Sequence, residues 1–423
     1  MAKGKNQVNE KERSWKGCYG SRGTYSELVD FLGWNFAQNE IAEQEGTNRF
    51  ATCIWGHSGI GKTAIVKQHA RKPVEWNGKM YDGYQVYDVP IAMFEEMGDL
   101  HGMPERHVKA CKQNGVGDLE MWVPEILTEQ YAKDGWAIDH RAGTRTLYAK
   151  PDWVPANEGP SILLFDDWNR ASVRIIKGIM QLLQNYRMVS WGLPDGCNIV
   201  LTANPDEQDY LVTSLDDAIL SRIRHITLRH DAKEWAIWAE AQNLDSRGIN
   251  FVLSYPEMMI GKSRTNPRTL SEFFRFLKDI PDVSDKNQHR KAEMLALSLL
   301  DEETVNTMLV FMSREVEMIV EPEQILSGDR SAFKHLKDLM TRKEKRVDVV
   351  GVVCHRLFAY MLKPDIEATE AMRGNFQKFI TMKELEDDMR HNLCMRIARE
   401  NNPRMQQWIL DNDLLKKMIM DVV

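Results

Sequence analysis

The chain has 423 residues, enough for two or three domains, and 43% of them are hydrophobic, which excludes a disordered or fibrous polymer. Its 55 basic and 62 acidic side chains leave a net charge of −7, which argues against a surface built to coat nucleic acid, although a local patch is compatible with it. The six cysteines, Cys18, Cys53, Cys111, Cys197, Cys354 and Cys394, show no C-x-x-C spacing and so suggest neither a zinc cage nor a disulfide framework; with no run of about 18 apolar residues, a cytoplasmic protein without a membrane segment is expected.

Residues 1–20 are polar and glycine-bearing and read as a flexible N-terminal arm without the apolar stretch of a secretory signal. From residue 21 to 230 short apolar runs alternate with helical stretches, the pattern of an α/β domain with a parallel sheet covered on both faces. Strands are predicted at 50–55, 84–92, 161–165, 197–203 and 225–228. Between the third and fourth, Val173, Ile176, Ile179, Met180 and Leu183 recur at helical spacing and are expected in the core.

The first of these strands runs into Gly56, His57, Ser58, Gly59, Ile60, Gly61, Lys62 and Thr63, which match G-x-x-x-x-G-K-[ST], and a helix follows. Strand, glycine loop and helix together form the setting of a phosphate-binding loop, in which glycines let successive backbone N–H groups close around phosphate oxygens. Lys62 would neutralise the β and γ phosphates, and the Thr63 hydroxyl would ligate Mg²⁺. A second, partial copy at Gly261, Lys262 and Ser263 has Pro256 where the first glycine should stand, and is discarded. No Asn-Lys-x-Asp guanine-reading motif occurs, which points to ATP.

The third strand ends in Asp166 and Asp167, where strand tips in such sheets meet their ligands. Asp166 is expected to hold Mg²⁺ and Asp167 to polarise the attacking water. Asn204 follows the next strand and can orient that water. After a short helix come Arg222 and Arg224; Arg222 is the candidate arginine finger reaching a neighbouring subunit, and Arg224 is expected to pair within its own subunit. Arg268 falls in the first turn of a helix opened by Asn266 and Pro267, where the dipole disfavours a cation unless a phosphate lies near.

From 231 the pattern is wholly helical: a small lid over 231–280, a linker beginning at Ile280, and a methionine-rich helical C-terminal domain over 281–423. The basic run Arg342, Lys343, Glu344, Lys345 and Arg346 reads as the end of a helix, where cations suit the dipole.

Lys62, Asp166, Asn204, Arg222 and Arg268, in that order, resemble Walker A, Walker B, sensor 1, arginine finger and sensor 2 of the AAA+ ATPases. Within them the chain is most similar to the MoxR group, through the segment from Gly98 to Pro104, the segment from Tyr148 to Pro155, and Phe165-Asp166-Asp167-Trp168-Asn169-Arg170-Ala171. The resemblance covers about residues 25–280. It implies an AAA+ parallel sheet with flanking helices, an α-helical lid and a further helical region, ATP and Mg²⁺ as cofactors, and a homo-oligomeric ring, as a hexamer. It also implies nucleotide at subunit interfaces, chaperone-like remodelling of a protein client, and a von Willebrand A-domain protein as partner. A nucleic-acid motor or clamp-loader-like ATPase is the alternative, which the net negative charge disfavours. The second Walker B acid is normally Glu; Asp167 is one methylene shorter, which sets the carboxylate back by more than ~1 Å and predicts slow hydrolysis.

Overall fold

The computed structural model describes residues 18–114, 117–205, 215, 217–259, 264–314, 319–341, 346–400 and 402–410. The N-terminal arm up to residue 17, the discarded Gly261-Lys262-Ser263 copy and most of the basic run at 342–346 lie outside the described residues. Contacts divide the chain into two compact units, Met1–Arg229 and His230–Val423.

The first unit is built on a six-stranded sheet in the order β1-β11-β2-β10-β9-β5, with every pairing parallel. Its strands are β1 (Ser21–Gly23), β2 (Ala51–Trp55), β5 (Gln85–Val89), β9 (Ser161–Phe165), β10 (Cys197–Ala203) and β11 (Ile223–Leu228). β2, β9 and β10 are buried at every position, because helices cover both faces and each strand must be apolar on both sides. On one face α1 (Tyr25–Gln44) and α2 (Lys62–His69) bring Leu28, Leu32, Phe36, Ile65 and Val66 against Ile54, Ile162, Leu164, Val200 and Ile226. On the other, α5 (Val173–Asn185) sets Ile175, Ile176, Ile179, Leu182 and Leu183 against Cys53, Trp55, Leu163, Phe165, Ile199 and Leu201. Ile54 and Trp55, adjacent in sequence, thus serve opposite cores, as the two-residue period of a strand requires.

The predicted strands at 161–165 and 197–203 have their observed bounds. The one predicted at 84–92 stops at Val89, because Pro90 cannot donate to a ladder, and the one at 225–228 starts two residues earlier. The short strand β1 and two further sheets were not legible in the sequence. β3 (Val74–Trp76) and β4 (Lys79–Tyr81) form a hairpin whose turn places Asn77 and Gly78 at positive φ. β6 (Pro104–Asn114), β7 (Gly117–Pro124) and β8 (Ala137–Tyr148) form an antiparallel sheet in the order β7-β6-β8, with α3 (Met97–His101) before it and α4 (Thr128–Lys133) between its last two strands. Among the described residues only Val108, Ala110 and Val123 are buried there, against Tyr131, Trp136 and Ile138, and so sparse a core leaves a weak apolar period. A short helix, α6 (Asp217–Leu220), leads into β11.

The second unit is entirely helical in its described residues. It comprises α7 (Ala232–Ala241), α8 (Ser246–Ser254), α9 (Pro267–Leu277), α10 (Lys286–Leu299), α11 (Glu302–Arg314), α12 (Pro322–Ser327), α13 (Arg330–Thr341), α14 (Val347–Met361), α15 (Glu370–Ile380), α16 (Asp387–Arg399) and α17 (Pro403–Leu410). One apolar cluster runs from Trp235 through Phe274, Leu309 and Phe358 to Trp408, so residues on both sides of position 280 share a core. Gly248 on α8 lies under the Phe274 ring: a Cβ there would come within 2.4 Å of it. Among the described residues, no helix is long and apolar enough to cross a membrane.

Candidate active site

The sheet register assembles the site. Trp55 ends β2 level with Ala203 of β10, and Phe165 ends β9 level with Leu201. Asp166 therefore emerges beside Thr202, and Asn204 beside Gly56, whose N–H donates to Ala203 O at 3.2 Å. β2 and β10 are neighbours in space but not in chain order, so the loop after β2 opens at the point where the strand order reverses, the usual ligand crevice of such sheets.

The loop between β2 and α2 places Gly59 at φ 75° and Gly61 at φ 104°, in the left-handed region where a side chain would be strained. Gly61 is the N-cap of α2, so the loop's N–H groups and the helix N-terminus converge. Tyr25, from the first turn of α1, braces the loop by donating its hydroxyl to Ile60 O at 2.6 Å.

Lys62 is 6% exposed and donates through Nζ to Gly56 O at 2.7 Å, His57 O at 3.1 Å and Asn204 Oδ1 at 2.9 Å. Burial pushes its pKa down to about 8, although the carboxylates of Asp167 and Asp166 oppose the shift. An ammonium held chiefly by neutral carbonyls in a desolvated place is stabilised by any anion that enters the loop.

Asp166 Oδ1 accepts from the Thr63 hydroxyl at 2.6 Å and from the Thr202 hydroxyl at 2.6 Å. Thr202, fully buried, accepts in turn from Asp167 N–H at 2.8 Å, so one side chain fixes the carboxylate of one acid and the backbone of the next. Thr63 and Asp166 present two hard oxygens in direct contact, the donor chemistry that suits Mg²⁺.

Asp167 has φ 48° and ψ 41°, a left-handed conformation that Asp and Asn tolerate better than other side chains. Its Oδ1 accepts from Asn204 Nδ2 at 2.8 Å, and its Oδ2 lies 3.3 Å from Arg170 Nε. Asn204 is fully buried and bridges Lys62 on one side to Asp167 on the other. Asn169 holds Asn204 from behind, donating to its carbonyl at 2.8 Å and accepting from its N–H at 3.2 Å. Lys62, Thr63, Asp166, Asp167 and Asn204 are thus in one hydrogen-bonded cluster. Thr202 and Asn169, which position it, carry no chemistry of their own. The sequence hinted at Asn169 only by its place two residues after the acid pair, within the segment from Phe165 to Ala171.

The arginines lie elsewhere. Ile223 is level with Ala51 at the start of β2, so Arg222 stands at the opposite end of the sheet from the loop, roughly 15 Å of strand away. Its Nε donates to Gln184 Oε1 at 3.1 Å, and a guanidinium nitrogen reaches Ala218 O. Arg224 points to the other face, donating to Asn35 Oδ1 at 2.5 Å and lying 4.8 Å over the Phe50 ring. Arg268 belongs to the second unit and is exposed on the first turn of α9, where Asn266 caps the helix, accepting from the N–H groups of Arg268 and Thr269 at 3.1 Å each, and Pro267 follows as the first helical residue.

Comparison with protein-family models and with curated protein sequences finds no match. Solved structures of RuvB from Thermotoga maritima are similar: a point mutant is 12% identical over 74% of this chain and 80% of that one, at a TM-score of 0.33. The structure titled as its Holliday junction branch migration motor is 14% identical over 73% and 76%, also at 0.33. Likeness at that level carries no functional argument.

Proposed function

We propose that the chain is an AAA+ ATPase of MoxR-like type that binds ATP and Mg²⁺ and couples hydrolysis at the interfaces of a homo-oligomeric ring, as a hexamer, to the remodelling of a protein client. A von Willebrand A-domain protein is the proposed partner. The single observation that carries the nucleotide reading is the convergence of Lys62, Thr63, Asp166, Asp167 and Asn204 through hydrogen bonds, direct or by way of Thr202, at the mouth of a glycine loop with left-handed turns. The residues fit the metal: Thr63 and Asp166 would hold Mg²⁺, which when bound supplies positive charge against the phosphates.

Lys62 exchanges loop carbonyls for the β and γ phosphate oxygens and neutralises their charge. Asp167 accepts a hydrogen bond from the attacking water and polarises it toward the γ phosphorus. The Asn204 amide, held from behind by Asn169, orients that water and keeps Asp167 turned toward it. Arg222 is too far from its own loop to stabilise its own γ phosphate, which supports a role at the neighbouring subunit's nucleotide. Arg268 is proposed to complete the site as sensor 2.

Calorimetry and steady-state hydrolysis test this together. Lys62→Ala is expected to fold and to lose ATP binding and ATP-dependent assembly; normal ATP affinity in the folded variant would sink the assignment. Arg222→Ala is expected to bind ATP like the parent and to hydrolyse it at least ~10³ times more slowly. Mixing it with Lys62→Ala subunits, which do not assemble alone but enter a ring whose other subunits hold ATP, should return activity by placing an intact loop beside an intact arginine, with co-purification checking that mixed rings form. Capture of partners on the ATP-bound, hydrolysis-blocked Asp167→Asn protein tests the client reading, with nucleic acid as the outcome that favours the motor alternative.

A further inference from the structure

The indole N–H of Trp55 is satisfied by a side chain for which the proposed chemistry has no use. Trp55 is the last residue of β2, adjacent to Gly56, and is 1% exposed. It donates to His225 Nδ1 at 3.0 Å. That bond makes Nδ1 the acceptor of a neutral ring, so the proton sits on Nε2, which donates to Leu220 O at 2.9 Å. Leu220 ends α6, where a helix leaves carbonyls without internal partners, and Arg222 follows two residues later. Ile219, 3% exposed, seats the same turn in the core, and the Tyr19 ring closes the cluster 4.9 Å from Trp55 and 5.6 Å from the imidazole. One imidazole therefore spans the strand that feeds the phosphate loop and the turn that presents the arginine, held at both nitrogens.

We propose that His225 is a positioning residue for Arg222: it ties the arginine-bearing turn to the P-loop strand and so sets where the arginine stands for the neighbouring subunit. The inference rests on the reading of Arg222 as a finger acting in trans. Ile219 in the core and Ile223 paired with Ala51 hold the turn at either side of Arg222; a hydrogen bond is directional and weakens steeply with misalignment, so a displaced Trp55 or a missing imidazole removes the tie that fixes the carbonyl end of α6 between them. The defect then belongs to the neighbour's reaction, not to the subunit's own phosphate binding.

The test uses the full chain with His225→Ala, His225→Gln, Trp55→Phe, Arg222→Ala and the double Arg222→Ala/His225→Ala, each measured for ATP affinity by calorimetry and for kcat. His225→Ala and Trp55→Phe are expected to lower kcat by about tenfold or more with ATP affinity within about twofold of the parent, as for a misplaced catalytic group. His225→Gln, which offers both an acceptor and a donor, should recover part of the loss. The double variant should be no slower than Arg222→Ala, because a tether to an absent arginine has nothing left to position. Mixed with Lys62→Ala subunits, His225→Ala should regain activity as Arg222→Ala does. A further slowing in the double variant, normal kcat in His225→Ala, or no recovery in mixtures where Arg222→Ala recovers would each overturn the proposal. If Arg222→Ala alone hydrolyses ATP normally, the trans-finger reading fails first and takes this inference with it. Should His225→Ala not fold, His225→Gln and Trp55→Phe carry the same comparison.

Discussion

Asp167 is where a single residue departs from the pattern it resembles, and its backbone supplies a reason. The site is fitted to the shorter acid: φ is 48°, the Asn204 amide meets the carboxylate at 2.8 Å, and Arg170 approaches from the other oxygen. Asp167→Asn is expected to keep ATP binding and stop turnover, since it retains the shape and removes the charge proposed to polarise water. Asp167→Glu would push the carboxylate more than ~1 Å past Asn204 and place a less tolerant residue in the left-handed region, so turnover should fall. Higher turnover in Asp167→Glu would mean that acid length, and not this fit, limits the reaction. Asn169→Ala makes a separate test, because it strips the buried backbone of Asn204 of both partners. Its kcat should drop by about tenfold with KM little changed, together with a stability loss on the order of 2 kcal/mol. Unchanged kcat would remove Asn169 from the machinery.

Among the elements, α7, α8, α12 and α14 of the second unit are joined by a buried ion cluster. Arg356, 2% exposed, binds Glu240 through Nε, Asn250 Oδ1 at 2.8 Å and Glu321 Oε2 at 2.9 Å, while Lys363 stands 3.8 Å from Glu240. Burial raises the Glu240 pKa even with Arg356 beside it, a sign that its desolvation is only partly offset. Arg356→Leu should therefore cost about 3–5 kcal/mol, since it leaves a buried carboxylate with one distant cation, whereas Arg356→Leu combined with Glu240→Leu should cost much less. Urea unfolding of the full chain checks both, and equal losses would show that shape, not charge, governs the cluster. Gly248→Ala should also destabilise, because the new methyl meets the Phe274 ring between two packed helices.

Across the whole molecule, acid should weaken the second unit. Burial lowers His230 to about pKa 4; it also lowers His355 to about 4, with the cations Arg396 and Lys233 adding to the effect and Asp231 opposing it. In the unfolded chain both titrate near ~6.5, so between pH 6.5 and 4 the unfolded state binds more protons. The stability from keeping them neutral is fully present above pH 6.5 and is lost as pH falls toward 4, on the order of 2 kcal/mol for each. Denaturation at pH 7 and pH 4.5 reads this directly. If His355→Asn unfolds with the same pH dependence as the parent, His355 is not the group responsible.

The sequence by itself determined what local pattern can encode. The loop from Gly56 to Thr63 announces itself because its glycines are required by positive φ, and the strands at 161–165 and 197–203 are unbroken apolar runs because both their faces are covered. The Asn266 cap was readable for the same reason, since it concerns four consecutive residues. Only the tertiary structure could decide what depends on register. That Asp166 stands beside Thr202, that Asn204 lies between Lys62 and Asp167, and that Trp55 and His225 meet across 170 positions follow from which strands are neighbours. The antiparallel sheet of β6, β7 and β8 was missed because three buried positions among the described residues and a register shift between Val108 and Lys109 leave little alternation to read. Strand order is chosen by the burial of both faces at once, a property of the assembled sheet that no window of sequence contains.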